Sequence, residues 1–329
     1  MIDRRQWLAG ACALPLATLW SPAWSDEAYP SRPIRILVPF TPGGSSDILA
    51  RAIGLELGQA WSKPVVVENI PGAGGTVATE RAARAAPDGY TLFMGHTGTL
   101  AINPWLYPQQ RIDTARAFAP VALVARVPNV LVVHPSVPAT SLAELIGYSK
   151  ANPDALAYGS GGNGSAAHLT MEYLKLRTGL KALHVPYKGT APSVTDLLAG
   201  QVQLLFTGSP ALMPHIRSGA MRAIAVSSQE RISQLPQVPT VAESKAPGAV
   251  GFEADQWYGL VTAAGTPPAV VERLNRQVNA ALASDAVRGR LTAEGAQAIP
   301  SSPDRFASLI KAETARWGDT VRTARVTVE

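Results

Sequence analysis

Two periods alternate along the chain. Ile34 to Val38, Val65 to Val67 and Tyr90 to Met94 are short, β-branched or aliphatic runs that predict strands. The stretches between them repeat apolar residues at helical spacing, as at Ile48, Leu49, Ala52 and Leu55. This predicts helices over Asp47 to Trp61 and Thr79 to Ala86, with a short helix near Leu100. Alternating strands and helices imply a parallel sheet covered on both faces. Val121 to Val133 is longer and almost wholly apolar, and it predicts a strand that crosses into a second domain. There the alternation resumes. Strands are expected at Leu156 to Tyr158, His184 to Tyr187, Val202 to Phe206 and Arg222 to Val226. Helices are expected at Leu142 to Ala151, Ala166 to Arg177, Pro192 to Ala199 and Ala211 to Ser218. Leu235 to Gly251 is Pro-rich and irregular, and Trp257 to Val261 predicts a strand returning to the first domain. Two helices, Pro268 to Ala283 and Pro303 to Thr323, complete the pattern. No repeat of 20–50 residues interrupts it.

The expected fold is α/β with two lobes, each a mostly parallel sheet flanked by helices. Lobe 1 comprises residues 30–125 plus 250–329, and lobe 2 comprises 126–249, with a ligand cleft between them. Two crossings make a hinge, the arrangement that closes on a ligand.

The first residues stand apart. Arg4 and Arg5 precede an apolar stretch from Trp7 to Leu19, and Ala23-Trp24-Ser25 places small residues where a signal peptidase reads them. This predicts a signal peptide over 1–25, cleaved after Ser25, and hence a periplasmic protein. The paired arginines suit twin-arginine export and the general secretory route alike. Cys12 is a poor lipidation site, with Ala9 three positions before it. It is also the only cysteine, so a disulfide framework and a cysteine-based zinc site are excluded.

Net charge is +5 over 329 residues, and the longest basic run is Arg4-Arg5. A field spread this evenly suits a small anion better than a nucleic acid.

The candidate chemistry lies where glycines sit. Several loops that follow a strand and open a helix are small, polar and glycine-rich: Phe40 to Ser46, Pro71 to Thr76, Gly95 to Thr99 and Gly159 to Ser165. Lys188 to Thr190 and Phe206 to Ser209 are shorter versions. A helix N-terminus leaves its first N–H groups unpaired and carries a partial positive charge. Glycine lets an anion approach that backbone. Four such loops from two lobes can surround one small anion, with Ser and Thr hydroxyls orienting it. Each loop alone is also explained as a tight turn with an ordinary helix cap.

The candidate ligand-binding residues are Phe40, Thr41, Gly43, Gly44, Ser45, Ser46, Ala73, Gly74, Gly75, His96, Thr97, Asn163, Gly164, Ser165, Ala166 and Thr207. Asp47 either caps its helix or holds the Gly43-Gly44 loop, and Asp196 is a candidate support. His168 reads as a packed or capping histidine, and Trp257 and Tyr258 as hinge or cleft-wall residues. Other chemistry is not legible. The dinucleotide fingerprint, the phosphate-binding loop with Gly-Lys-Ser/Thr and the Gly-x-Ser-x-Gly elbow are all missing from the sequence. The five histidines show no zinc spacing. No loop sets a nucleophile beside a base. No cofactor, metal or catalytic residue is therefore expected.

Taken together, Val38 through Asp47, Val67 through Thr76, Ala86 through Leu92, Tyr158 through Leu169, His184 through Gly189 and Asp196 through Gln201 closely resemble the Bug family. These are periplasmic solute receptors, also called tripartite tricarboxylate transporter substrate-binding proteins. The resemblance runs from about Tyr29 to the C-terminal helix. It implies a Venus-flytrap fold of the type II periplasmic-binding class that grips a carboxylate or carbonyl. It implies delivery to the integral-membrane permease subunits of a tripartite transporter, or in some members signalling through a sensor kinase. By residue match, the Thr41 to Ser46 and Ala73 to Gly75 loops and the Asn163 to Ala166 stretch inherit binding roles. The chain departs from the family pattern with Ile70 where Arg is frequent, Ala78 where Gly is usual and Thr207 where Asp is frequent.

Overall fold

A computed structural model describes residues 29–107 and 112–324. The segment 1–25 lies outside the described residues. From the N-terminal side the chain forms β1 (Ile34–Val38), α1 (Ser45–Trp61), β2 (Val65–Asn69), α2 (Thr76–Ala83) and β3 (Thr91–His96). A π-helical turn at Thr97–Ile102 leads to α3 (Asn103–Leu106), α4 (Thr114–Ala117) and β4 (Phe118–Val127). Then follow β5 (Asn129–Val133), α5 (Leu142–Ala151), β6 (Ala157–Ser160), α6 (Ala166–Thr178), β7 (Leu183–Pro186), α7 (Thr190–Leu198), β8 (Leu204–Gly208), α8 (Met213–Arg217) and β9 (Arg222–Val226). Finally come β10 (Gln256–Ala263), α9 (Pro268–Ala283), α10 (Asp285–Ala293), β11 (Gln297–Ala298) and α11 (Pro303–Ala324).

These strands make two sheets. One has the order β11-β4-β10-β3-β1-β2 and the other β7-β6-β8-β5-β9. The parts around them are called lobe 1 and lobe 2. The parallel pairs are those joined through helices: β1 with β2 and β3, and β6 with β7 and β8. The sheets are mixed, because β10 runs antiparallel to β3 and β4, and β5 antiparallel to β8 and β9. A helical crossover is what makes neighbouring strands parallel. The strands at the lobe crossings enter their sheets without one.

The apolar run from Val121 to Val133 is two strands, not one. Pro128 divides it and has no N–H to give a ladder. β4 ends in the first sheet at Val127, and β5 begins in the second at Asn129. The return is equally abrupt. The Ala254 N–H still bonds to Ser227 of lobe 2, whereas Gln256 already pairs with Val127 of lobe 1.

The lobe 1 sheet is covered on both faces. Leu49, Ile53 and Leu57 of α1, with Leu274 and Val278 of α9, pack on Ile36, Leu92 and Val124. On the other face Phe306, Ile310 and Trp317 of α11 join Phe93 and Leu123 in a cluster that continues into lobe 2 at Leu169 and Phe206. The core is therefore continuous across the crossings. α2 begins at Thr76, three residues earlier than its apolar pattern indicates. The short helix expected near Leu100 is the π-helical turn Thr97–Ile102, whereas α10 and β11 are not legible in that pattern.

Candidate functional site

The β1–α1 loop is stiffened from behind. Asp47 accepts the Gly43 N–H at 3.0 Å and the Arg51 Nε at 3.0 and 3.1 Å. Arg51 also donates to Asn69, which donates to the Phe40 carbonyl at 2.9 Å. Burial alone would raise the Asp47 carboxyl, but Arg51, the Gly43 N–H and Asn69 together hold it below the usual range. Asp47 thus secures the loop, and the first turn of α1 turns Ser45 and Ser46 inward, both buried.

Opposite it, Ser165 caps α6, accepting the His168 N–H. The His168 ring accepts the Gly164 N–H at 3.1 Å and stacks on His184 with centroids 4.0 Å apart. Ser160 bonds His184 at 2.6 Å. Burial first, and Lys175 next, push His168 down to about 4. Both rings are neutral packing elements under the loop. Asp196, in the last turn of α7, accepts the Tyr187 hydroxyl at 2.6 Å.

His96 stands between Phe40 and Tyr258, at centroid distances of 5.1 and 5.6 Å. Its Nδ1 accepts the Thr99 N–H at 3.0 Å. The neutral ring then carries its proton on Nε2. Burial pushes its pKa down to about 4, so it is a neutral donor at physiological pH.

These groups line a cavity between the lobes, with about 330 Å³ of space between atoms. Of the expected residues, Phe40, Gly44, Ser45, Ser46, His96, Ser165, Ala166 and Thr207 line it. Gly161, Ala167, Thr190, Gln256 and Tyr258 line it as well. None of these thirteen described residues is an Asp, Glu, Lys or Arg. The first turns of α1, α6 and α7 all reach it, through Ser45, Ala166 and Thr190.

The other expected residues lie in the seam around the cavity or behind its walls. An added Cβ on Gly74 would sit 2.3 Å from the Asn163 carbonyl oxygen of lobe 2. That carbonyl also accepts the Tyr107 hydroxyl at 2.7 Å. Gly189 likewise approaches Thr41, where a Cβ would sit 2.3 Å from Oγ1. Gly75 packs on Thr99, and Ala73 is exposed. Gly43 and Gly164 donate to Asp47 and His168. The Thr97 hydroxyl accepts the Trp257 N–H at 2.9 Å, and the Trp257 ring packs on Phe306. Gln256 carried no sequence signal. It lies in no glycine-rich loop, and only the return crossing brings it to the cavity.

A larger groove, with about 1460 Å³ of space between atoms, lies beside the crossings and mixes Arg126, Arg231 and Arg288 with Glu230, Glu253 and Asp255. Charges of both signs do not favour capture of an anion there. No cluster of metal-ligating side chains occurs among the described residues.

Comparison with known proteins places this architecture. Residues 49–325 match the family described as TctC, the tripartite tricarboxylate transporter family receptor. Protein BugT of Bordetella pertussis is 40% identical over 299 residues, covering 91% of each chain. Among solved structures, Rpa4515 of R. palustris with adipate superposes with a TM-score of 0.87 at 38% identity, covering 91% of this chain and 99% of that one. MatC from Rhodopseudomonas palustris with bound malate gives 0.84 at 35% identity, covering 89% and 100%.

Proposed function

Because the chain belongs to the tripartite tricarboxylate transporter receptor family, we propose that it captures a small organic carboxylate between its lobes and delivers it to the membrane subunits of a tripartite transporter. The family is one of solute receptors, not enzymes. One observation carries the ligand class: three helix N-termini and several hydroxyls converge on a cavity lined by no charged side chain. Backbone N–H groups and helix dipoles attract a carboxylate. They do so without a buried ion pair, whose desolvation can cancel its attraction. The relatives crystallised with adipate and malate support the same class.

The two parts expected as 30–125 with 250–329 and as 126–249 act as the closing lobes, with their bounds moved to the crossings at Pro128 and Asp255, which serve as the hinge. The ligand enters an open form, and the lobes close on it. The sixteen residues named from the sequence form the binding region, eight at the cavity wall and eight in the seam and behind it. The segment 1–25 serves as an export signal, which places the mature chain in the periplasm.

The test is calorimetric titration of the chain lacking residues 1–25 with mono-, di- and tricarboxylates and with the amide of each. Saturable binding of one acid, and none of its amide, is expected. Equal binding of acid and amide would overturn the helix-terminus reading.

A further inference from the structure

We propose that Tyr258 and Gln256 make the cavity selective for a hydroxycarboxylate over the same acid without its hydroxyl. The inference rests on the receptor reading above. It follows from the direction of a hydrogen-bond chain that starts at the return crossing. The Ala254 carbonyl has only lone pairs to offer. Asn129, fully buried at the first crossing, therefore turns its Nδ2 to that carbonyl, at 2.6 Å. Its Oδ1 is left facing Gln256, which must turn its own Nε2 to meet it. Gln256 then presents Oε1 to Tyr258. An amide oxygen only accepts, so Tyr258 donates its one proton there, at 2.6 Å.

Tyr258 has no second proton. Burial pushes its ionisation far up, so the phenol stays protonated and that donor stays committed. Tyr258 and Gln256 both line that cavity, so this part of its wall offers acceptors. A carboxylate is repelled here and welcomed at the helix N-termini and the His96 Nε2–H. A ligand hydroxyl gives this wall the proton it lacks. An acid without one leaves a buried acceptor unpaired. A site built to pair with a hydroxyl rejects the analogue that lacks it.

The experiment is calorimetric titration of matched pairs: lactate and propionate, malate and succinate, 2-hydroxyglutarate and glutarate. In any pair that binds, the hydroxy acid is expected to bind at least about tenfold more tightly. Tyr258→Phe removes the acceptor and should bring that ratio toward one. Gln256→Leu releases the Tyr258 proton and should lower the ratio by strengthening binding of the plain acid. A merely structural role would weaken both members of a pair alike, and that result overturns the inference. So does a wild-type chain that binds the plain acid as tightly as its hydroxy partner, whether or not the variants fold. If no acid of any pair or of the wider panel binds, the carboxylate reading itself fails, which is a distinct outcome.

Discussion

Gly208 has ordinary backbone angles, φ −55 and ψ 135, so nothing in its own lobe requires a glycine. A Cβ there would lie 2.7 Å from Ser45 Oγ and 3.0 Å from Val127 Cγ1, both across the seam. Gly208→Ala is therefore expected to obstruct closure while sparing the fold. Titration should show all ligands weakened about tenfold, ~1.4 kcal/mol, with the melting temperature of the ligand-free chain nearly unchanged. The neighbouring Thr207 is buried at the cavity, with its hydroxyl 3.5 Å from that of Thr190. Thr207→Asp would add a carboxylate to an uncharged wall. Dicarboxylates should lose at least about tenfold in affinity relative to monocarboxylates, since like charges repel strongly at low dielectric. An unchanged ratio would remove Thr207 from the account. At this scale the sequence displays loop residues well, because glycine and hydroxyl spacing mark a helix N-terminus. It hides Gln256, whose role depends on an amide on another strand.

The elements under the site carry a pH dependence. His96, His168 and His184 are pushed down to about 4, 4 and 3, in each case chiefly by burial. The unfolded chain takes up these protons near pH 6.5. Between there and about pH 4 the folded state binds fewer, so stability is full above pH 6.5 and falls as pH drops. Asp255 acts the other way. Burial pushes it up to about 6, against the Ser227 hydrogen bond, so its folded form takes a proton early and gains stability on acidification. Three histidines outweigh one aspartate. The melting temperature should decline from pH 6.5 toward 4.5, and Asp255→Asn should make the decline steeper. A flat profile would show that the rings are not held neutral. The elements themselves were largely legible from apolar period, including the long helices α9 and α11. The split at Pro128 was not drawn from the run Val121 to Val133, whose apolar character continues on both sides of the proline. α10 has little apolar period to show and packs on α9 mainly through Val287 and Leu291.

For the whole molecule the proposed closure of the lobes is open to a direct test. Scattering measurements should give a smaller radius of gyration once a binding acid is added. An unchanged radius would mean that the cavity fills without lobe movement. A ligand at about 100 times its dissociation constant adds ~2.7 kcal/mol. At about 2–4 °C per kcal/mol this raises the melting temperature by roughly 5–10 °C. The sequence by itself determined the α/β class and the receptor family, and it marked the glycine-rich loops that open helices, because hydrophobic period and glycine-rich helix starts are local. Tertiary structure alone decided which loop residues reach the cavity and which meet across the seam, as Gly74 does with Asn163 and Gly189 with Thr41. It also decided the direction of the chain from Ala254 to Tyr258. Those contacts join residues far apart along the chain, 127 positions apart for Asn129 and Gln256. No periodicity within either segment encodes such a pairing, so only the packed lobes specify it.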